Sequence, residues 1–303
     1  MRVGTGVLAG LLAAAIVAGA AIGSLWLSVS GIARNPSLLP ARDAIVSTGV
    51  PGSLNLLLIG TDSHAVGSEA NVLLIVHVNG GRNRVDVVSL PRNLMVTAAD
   101  GSLRRLSRHY AEGGAAAVVK SVEGLLDIRI DHVALTWLEG MSRLIDLLGR
   151  ISVDNPVEAT SQGFRFPKGP ITLSGEEALA FVRQGGTSPG DLDRAESQRL
   201  VLQGIVERLL TSKALLNPGT VKAVLGQLAG EIEVDSSLDA RAMIELFVDL
   251  RLRSSQGSPA SIKLPTAGGG IAADGTGYVL PDSGRVADLG RALNTDTLDA
   301  WVR

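Results

Sequence analysis

The sequence predicts a fold of the α/β or α+β class, in which helices pack against one central sheet. Short β-rich runs alternate with longer segments whose apolar residues recur at helical spacing. Apolar residues make up 46 % of the 303 residues and charged residues 19 %, which provides material for a buried core and argues against intrinsic disorder. The 36 glycines show no three-residue period and the charges form no long heptads, so collagen and coiled coil are excluded.

Composition and motifs exclude several functional classes. The 28 basic and 30 acidic residues give a formal charge of −2, whereas a nucleic-acid binder normally carries a basic surface. The absence of cysteine excludes disulfides, thiolate zinc sites and a cysteine nucleophile. The sequence has no glycine-rich nucleotide-binding motif and no Gly-x-Ser-x-Gly elbow. The histidines are scattered and form no helical zinc pair, and His77, in a predicted strand, is interpreted as structural.

The first element is an uncharged segment near the N-terminus. Val7–Gly31 exceeds the roughly 20 apolar residues that a bilayer-spanning helix needs. A cleaved signal peptide is the alternative, since Ala18-Gly19-Ala20 offers a cleavage site, but the run is longer than a signal core of about 7–15 residues. We therefore predict a cytoplasmic N-terminus and transmembrane anchor over residues 1–31, a proline-containing linker over 32–52 and an extracytoplasmic domain over 53–303.

Three strands are predicted at the start of this domain. Asn55–Ile59, Val72–Val78 and Val85–Leu90 are short, β-rich and bounded by Gly, Asn or Pro. Asn79-Gly80-Gly81 is typical of a hairpin turn, so the second and third strands are expected to pair as antiparallel neighbours.

Helices and two further strands are predicted in the rest of the chain. Ser174 and Glu177 have capping-box spacing, which predicts a helix that ends near Arg183. Gly149 is a stop signal for the helix before it. The other predicted helices are Ala111–Leu126, Leu138–Leu148, Leu192–Leu210, Thr220–Leu228, Asp239–Leu252 and Ser283–Leu293. The other predicted strands are Val133–Thr136 and Ala260–Leu264.

Polar residues are concentrated at three places where a strand or helix ends. Asp62 follows the first strand, a position at which α/β proteins often bind ligands, so it is a candidate metal ligand. An ordinary turn aspartate is the alternative. Arg92 follows the third strand, and a guanidinium there suits two-pronged binding of phosphate, with a surface arginine as the alternative.

The third place spans residues 183–199. Arg183 ends one helix, and the next begins near Asp191 and carries Arg194 and Gln198 on one face, at i and i+4. A helix N-terminus also attracts anions through its free N–H groups and its dipole. This arrangement suits a diphosphate, and a capped, solvated helix start is the alternative.

Five motifs then occur in an order that points to a family. They are NLLLIGTDS, VVSLPRNLMV, YAEGGAAAVVKSVEGLLDIRIDHVALTWLEGMSRLIDLLG, LSGEEALAFVR and GDLDRAESQ. In this combination, from about Asn55 to Leu210, the sequence resembles the LytR-CpsA-Psr family, bacterial membrane-anchored enzymes of the cell envelope. The resemblance implies a three-layer α/β/α sandwich with a central mixed sheet and an apolar groove for a polyprenyl tail.

The resemblance also implies a phosphotransferase that depends on Mg²⁺ (or Mn²⁺). Such an enzyme moves a glycopolymer from a polyprenyl diphosphate carrier to a peptidoglycan hydroxyl, forms a phosphodiester and releases polyprenyl phosphate. A cation and arginines would offset charge on the diphosphate, and oxygen ligands with water suit Mg²⁺. The implied partners are the lipid-linked polymer, peptidoglycan, the membrane and other envelope enzymes, and the implied location is the cell membrane, with a single span.

The family motifs assign roles residue by residue. The residues implied as metal ligands are Asp62 and Glu69, the latter at a position usually occupied by Asp. The residues implied in catalysis are Arg92, Arg183, Asp191 and Arg194. The residues implied in binding the diphosphate are Arg92, Arg183, Arg194 and Gln198.

The sequence departs from the family pattern at three positions. Gly67 and Gly185 stand where arginines are usual, and Asn93 stands where Asp is usual. Removing one hydrogen-bond donor to the transition state typically costs about 2.7–4 kcal/mol of its stabilisation. Candidates to replace the charge are Arg82, Arg105 and Arg108. These departures leave two alternatives open: a catalytically weakened binding or scaffold protein, and a pyrophosphatase.

Overall fold

The computed structural model describes residues 31–41, 49–61, 67–98, 100–137, 141–183, 194–211, 218–243, 245–246, 260–272 and 275–302. The strands are β1 Ala33–Asn35, β2 Leu54–Thr61, β3 Ala70–Val78, β4 Val85–Leu90, β5 Met95–Thr97, β6 Leu103–Arg105, β7 His132–Trp137, β8 Ile151–Asn155, β9 Ala159–Ser161, β10 Phe164–Phe166, β11 Gly169–Leu173, β12 Ile232–Asp235, β13 Ala260–Lys263, β14 Thr266–Ile271 and β15 Gly277–Pro281. The helices are α1 Leu106–Leu126, α2 Met141–Leu148, α3 Gly175–Val182, α4 Arg194–Thr211, α5 Pro218–Glu231, α6 Ser283–Asn294 and α7 Leu298–Val302.

The central element is a mixed, seven-stranded sheet in the order β1-β12-β7-β2-β3-β4-β13. Strand β2 is antiparallel to β3 and parallel to β7, and β13 is parallel to β4. The β3–β4 pair is the predicted hairpin, closed by the Asn79–Arg84 turn. The first predicted strand is longer at both ends, the second begins two residues earlier, and the third is confirmed without change.

Helices cover both faces of this sheet, because its central strands bury side chains on both sides. Leu57 and Ile75 face a core that includes residues of α1 and α6, whereas Leu74 faces a second core built with α2, α3 and α4. A Cβ on Gly290 of α6 would lie 1.8 Å from the Leu126 carbonyl oxygen, so only glycine permits this approach of α6 to α1.

Local signals placed several helices correctly. Ser174 and Glu177 form the predicted capping box, with Ser174 Oγ accepting from the Glu177 N–H and the Glu177 carboxylate accepting from the Ser174 N–H. Gly149 has a φ of 80°, as its role as a helix stop requires. Helix α1 begins at Leu106, five residues before the predicted Ala111, because the polar residues Ser107, Arg108 and His109 of its first turn hid the apolar periodicity.

The structure describes residues 31–41 and 49–52 of the predicted anchor and linker. The predicted membrane segment Val7–Gly31 falls almost wholly outside the described residues. Within the described ranges, none of the helices combines the length and apolar character that a membrane span requires. The start of the predicted linker packs into the domain, since Ala33–Asn35 pairs with β12 and Leu38 is buried. The predicted helix Asp239–Leu252 lies partly outside the described residues.

Candidate active site

Strand directions bring several predicted site residues to one edge of the sheet, here called the site edge. The parallel strands β2, β4 and β7 end there, and β3 begins there. Glu69 immediately precedes β3, and Arg92 lies two residues beyond the end of β4. Because Leu73 pairs with Leu90 in the β3–β4 ladder, these two residues lie on neighbouring chain segments.

Glu69 is held by the first turn of helix α1. Ser107 Oγ donates a hydrogen bond to one carboxylate oxygen at 2.9 Å. Arg108 places a guanidinium nitrogen 3.8 Å from the other oxygen. The Glu69 side chain remains 33 % exposed, so the carboxylate is positioned by protein groups and still open to a ligand.

Arg92 ties the same two segments together. Its guanidinium donates to Asn71 Oδ1 in β3 at 3.1 Å. Its backbone carbonyl accepts from the Ser107 N–H at 2.9 Å. Arg92 is thus fixed against the start of β3 and the start of α1. Its guanidinium lies at the site edge, near Ser107, the residue that holds Glu69.

A row of alternating charges leads away from Glu69 along α1. Arg108 lies 3.8 Å from Glu112 as well as from Glu69, and Glu112 pairs in turn with Arg104. Arg104 also pairs with Asp100 at 2.9 Å. These side chains are substantially exposed, and exposed pairs contribute only about 0–1 kcal/mol each, so a charged ligand can replace one partner at little loss of stability.

Helix α4 supplies a second group of polar residues. Glu196 accepts from Arg199 at 2.7 Å and from Lys263, at the end of β13, at 3.2 Å. Burial acts to raise the pKa of Glu196, but the hydrogen bonds and charges of Arg199 and Lys263 outweigh it and lower the pKa below the usual value. Gln198 is 1 % exposed. The Lys263 contact places the first turn of α4 near the end of β13, the strand beside β4.

The other predicted site residues are located as follows. Arg183 is exposed directly after α3. Arg194 is the first residue of α4, and its side chain lies outside the described part of the structure, as do Asp62 and Asp191 entirely. Among the described residues, no group of three or more His, Asp or Glu side chains is arranged to hold a metal ion. Of the seven predicted residues, Glu69 and Arg92 are therefore the pair whose side chains the structure places at one edge.

Sequence reasoning missed two residues of this site. Asn71 lies just before the predicted strand Val72–Val78 and Ser107 lies before the predicted helix Ala111–Leu126, so neither showed a ligand-binding signal. Of the arginines considered as replacements for the charges absent at Gly67 and Gly185, Arg108 contacts Glu69. Arg82 lies in the β3–β4 turn, at the opposite end of those strands.

A carboxylate and a guanidinium gathered where parallel strands end are typical of α/β proteins that bind phosphorylated ligands. The chain belongs to the LytR_cpsA_psr family, whose sequence model matches residues 36–294.

Two relatives carry the same name, polyisoprenyl-teichoic acid–peptidoglycan teichoic acid transferase TagU. The protein of Bacillus subtilis (strain 168) is 34 % identical over 170 residues, which is 55 % of this chain and 56 % of the relative, so the alignment spans about half of each. A protein of Bacillus cereus is 29 % identical over 248 residues, covering 80 % of this chain and 78 % of the relative.

The fold also matches solved structures. The crystal structure of B. subtilis TagV superposes with a TM-score of 0.66 at 22 % identity, covering 82 % of this chain and 98 % of that one. This likeness establishes the α/β fold with its central mixed sheet.

Proposed function

We propose that this protein is a phosphotransferase that moves a glycopolymer from a polyprenyl diphosphate carrier to a peptidoglycan hydroxyl. Membership of the family and the names of its relatives support the reaction class. The observation that carries the proposal is the placement of Glu69 and Arg92 at one edge of the sheet, tied together through the start of α1. The site edge would bind the diphosphate and the hydroxyl would approach it there.

The chemistry needs charge stabilisation more than a protein nucleophile. The acceptor oxygen attacks the phosphorus that bears the sugar and loses its proton to a base. The bond from that phosphorus to the bridging oxygen breaks, and polyprenyl phosphate leaves with the electron pair. Negative charge builds on the diphosphate, so Arg92, Arg183 and Arg194 would bind its oxygens, and Gln198 would add a hydrogen bond. Asp191 is proposed to orient these groups.

The donor set at Glu69 fits a hard divalent cation. Carboxylate oxygens are the ligands that Mg²⁺ prefers, and Glu69 keeps part of its carboxylate exposed. We assign Asp62 and Glu69 as the residues that would hold Mg²⁺ (or Mn²⁺). When bound, the ion would neutralise charge on the phosphates. Arg108, close to the same carboxylate, is proposed to supply part of the positive charge absent at Gly67.

The donor lipid is confined to a membrane, so an enzyme anchored in the same membrane would meet it efficiently. We propose that residues 1–31 form a single transmembrane anchor and that the domain after it lies outside the cytoplasm. The uncharged stretch Val7–Gly31 supports the anchor.

The test is an assay of the purified full chain in detergent. We expect release of polyprenyl phosphate, and a new phosphodiester on peptidoglycan fragments, when a polyprenyl-diphosphate glycopolymer, the fragments and Mg²⁺ are all present. Release of polyprenyl phosphate without an acceptor, with water taking the place of the hydroxyl and the polymer left as a phosphomonoester, would identify a pyrophosphatase instead. Binding of the donor without turnover would favour the scaffold alternative, for which the glycines at 67 and 185 are the motivating feature.

A further inference from the structure

Strand β1 places the start of the domain at the site edge. It runs parallel to β12, with Ala33 beside Glu233. Strand β12 is antiparallel to β7, with Ile232 beside Thr136, and β7 ends at the site edge. The first residues of β1 therefore lie at the site edge, and the chain enters the domain from that side.

Few residues separate this point from the stretch proposed to span the membrane. The uncharged stretch Val7–Gly31 ends two residues before β1 begins. Trp26, a residue type enriched at membrane interfaces, lies seven residues before Ala33, and such a segment reaches at most about 25 Å when fully extended. After Ala33 the chain is held in the sheet, and Leu38 is buried. An anchor in this stretch therefore keeps the site edge close to the bilayer surface.

An exposed apolar side chain lies at the other lateral end of the same edge. Strands β1 and β13 are the two outermost strands of the seven-stranded sheet, and six strand spacings correspond to about 29 Å. Strand β13 is parallel to β4, so it also ends at the site edge, and the β14–β15 hairpin follows it. Ile271, near the tip of this hairpin, is 77 % exposed.

The β14–β15 hairpin extends past the end of the sheet. At its base, the Asp282 N–H donates to the Pro265 carbonyl, just after β13. Further along, the Val279 N–H donates to the carbonyl of Asn93, which lies three residues beyond the end of β4. Ile271 is nearer to the tip than Val279. The tip therefore lies beyond the ends of β4 and β13.

Exposed apolar side chains are concentrated on this side of the molecule. A single exposed isoleucine is common on soluble proteins, so its location matters more than its exposure. Among the described residues, three of the four exposed large apolar side chains lie on hairpins that leave the sheet at the site edge: Leu103, Ile271 and Leu280. The fourth, Leu147, lies at the opposite end, since the carbonyl of neighbouring Leu148 accepts from Arg208 in the last turn of α4. The first turn of α4 lies near the end of β13.

The chemistry of the hairpin suits a lipid surface. Strands β14 and β15 carry no charged side chain. Burial of the Ile271 side chain at the boundary between headgroups and acyl chains would remove apolar area from water. Because this contact needs no charge, it should form on neutral lipids as well as on anionic ones.

We propose that the site edge faces the bilayer, held by the chain before β1 at one lateral end and by Ile271, inserted into the lipid interface, at the other. This inference rests on the membrane anchor of the proposed function. Glu69 and Arg92, on the strands between these two points, would then lie opposite the headgroups, where the diphosphate of a carrier lipid is located.

The test uses the absence of cysteine from the chain. Ala33→Cys, Ile271→Cys and Leu147→Cys each introduce one thiol at an exposed position. Each full-length variant is labelled with the fluorophore NBD and reconstituted into phosphatidylcholine vesicles, with or without lipids that carry a spin label near the acyl boundary. Leu147→Cys is the matched control, because it replaces an exposed leucine at the opposite end of the molecule.

We expect the spin-labelled lipids to lower the fluorescence at positions 33 and 271 by about twofold or more, because a residue in the interface lies about 5–10 Å deep, within reach of the quencher. The fluorescence at position 147 should not change. Addition of anionic lipid should leave this pattern unaltered.

Three results would overturn the proposal. Quenching at position 33 but not at 271 would mean that the anchor tethers a domain that does not dock, and quenching at neither position would reject the anchor. A blue shift at position 271 without quenching by the lipids would mean that a second copy of the chain covers Ile271. None of these measurements requires catalysis, so a chain that docks but does not transfer the polymer would reject the proposed function alone.

Discussion

At the end of the sheet opposite the site edge, several polar side chains are buried and bonded to one another, whereas at the site edge the charged groups of Glu69 and Arg108 stay partly exposed. His77 is fully buried and contacts Asn55 Oδ1 at 2.8 Å and Asp296 Oδ1 at 3.0 Å. Asp296 also accepts from the Gly80 N–H at 2.6 Å. This far edge is defined by His77, Asn55, Asp296, and the His132–Asp235 pair.

The two edges differ in what their polar groups contribute. Those of the far edge stabilise the fold, and those of the site edge are proposed to bind a ligand. At the far edge, the loss of one partner leaves a buried group without a hydrogen bond, so the network rigidifies the chain. At the site edge, Glu69, Arg108 and Glu112 form partly exposed contacts that contribute little to stability and can be exchanged for a ligand. Four measurements test this difference between the two edges.

The largest expected effect is on catalysis, at two of the arginines proposed to bind the diphosphate. Arg92→Ala and Arg183→Ala should each lower turnover by about 100-fold or more, because each removes a cation from the developing charge. Release of polyprenyl phosphate by the full chain measures the loss. Arg165→Ala, at an arginine whose side chain is 76 % exposed in β10, is the control and should retain full activity. Normal turnover in both site variants would reject their assigned role.

The next largest effect is on stability at the far edge. Asp296→Ala removes the partner of buried His77 and of the Gly80 N–H, so the free energy of unfolding should fall by about 2–3 kcal/mol. Urea unfolding measures this loss. Asp288→Ala, which breaks an exposed pair with Arg291, should lower the same quantity by less than about 1 kcal/mol. Equal losses in the two variants would remove the distinction between the far edge and the surface.

The far edge should also make stability depend on pH. Burial lowers the pKa of His77 below 6.5, although Asp296 partly offsets the effect. The unfolded chain therefore binds a proton more readily than the folded one, so the stabilisation is complete above about pH 6.5 and declines as the pH falls toward the folded-state pKa. One such group changes the free energy of unfolding by at most about 1.4 kcal/mol per pH unit. Unfolding curves between pH 7.5 and 5 should show a shallower dependence for His77→Gln, and identical slopes would contradict this role.

The smallest effect is expected from Ser107→Ala at the site edge. The variant loses the hydrogen bond to Glu69, which is partly exposed, so the free energy of unfolding should fall by only about 0.5–1 kcal/mol. Because Glu69 is then less well oriented, the Mg²⁺ concentration that gives half-maximal activity should rise. A stability loss as large as that of Asp296→Ala, with no change in the metal requirement, would mean that both edges are structural.

Much of the framework could be predicted from local patterns. Three of these patterns depend on neighbouring residues alone, and all three are present: the strand Val85–Leu90, the hairpin turn before it, and the capping box at Ser174. The hairpin β8–β11, which pairs Ile151 with Leu173, was missed because the segment between its two strands forms a hairpin of its own and hides the pairing. Strand β12 was also missed, because its four residues carry too little periodicity to be recognised.

The candidate site was only partly predictable. Arg92 was selected from its position after the third strand and again from the motif resemblance, and Glu69 from the resemblance alone. Arg108 was one of three arginines considered for the charges absent at Gly67 and Gly185. The selection of Arg108 required the position of α1, since Glu69 and Arg108 are far apart along the chain.

The class of fold, most central strands and the motifs of the family could be predicted from the amino-acid sequence, because each depends on composition or on residues within a few positions of one another. Which polar groups contact each other depends on how the distant segments pack. His77 and Asp296 are separated by 219 residues, and Glu69 and Ser107 by 38. Whether such residues touch is set by strand register and helix packing, and these minimise the free energy of the whole domain rather than that of any one segment.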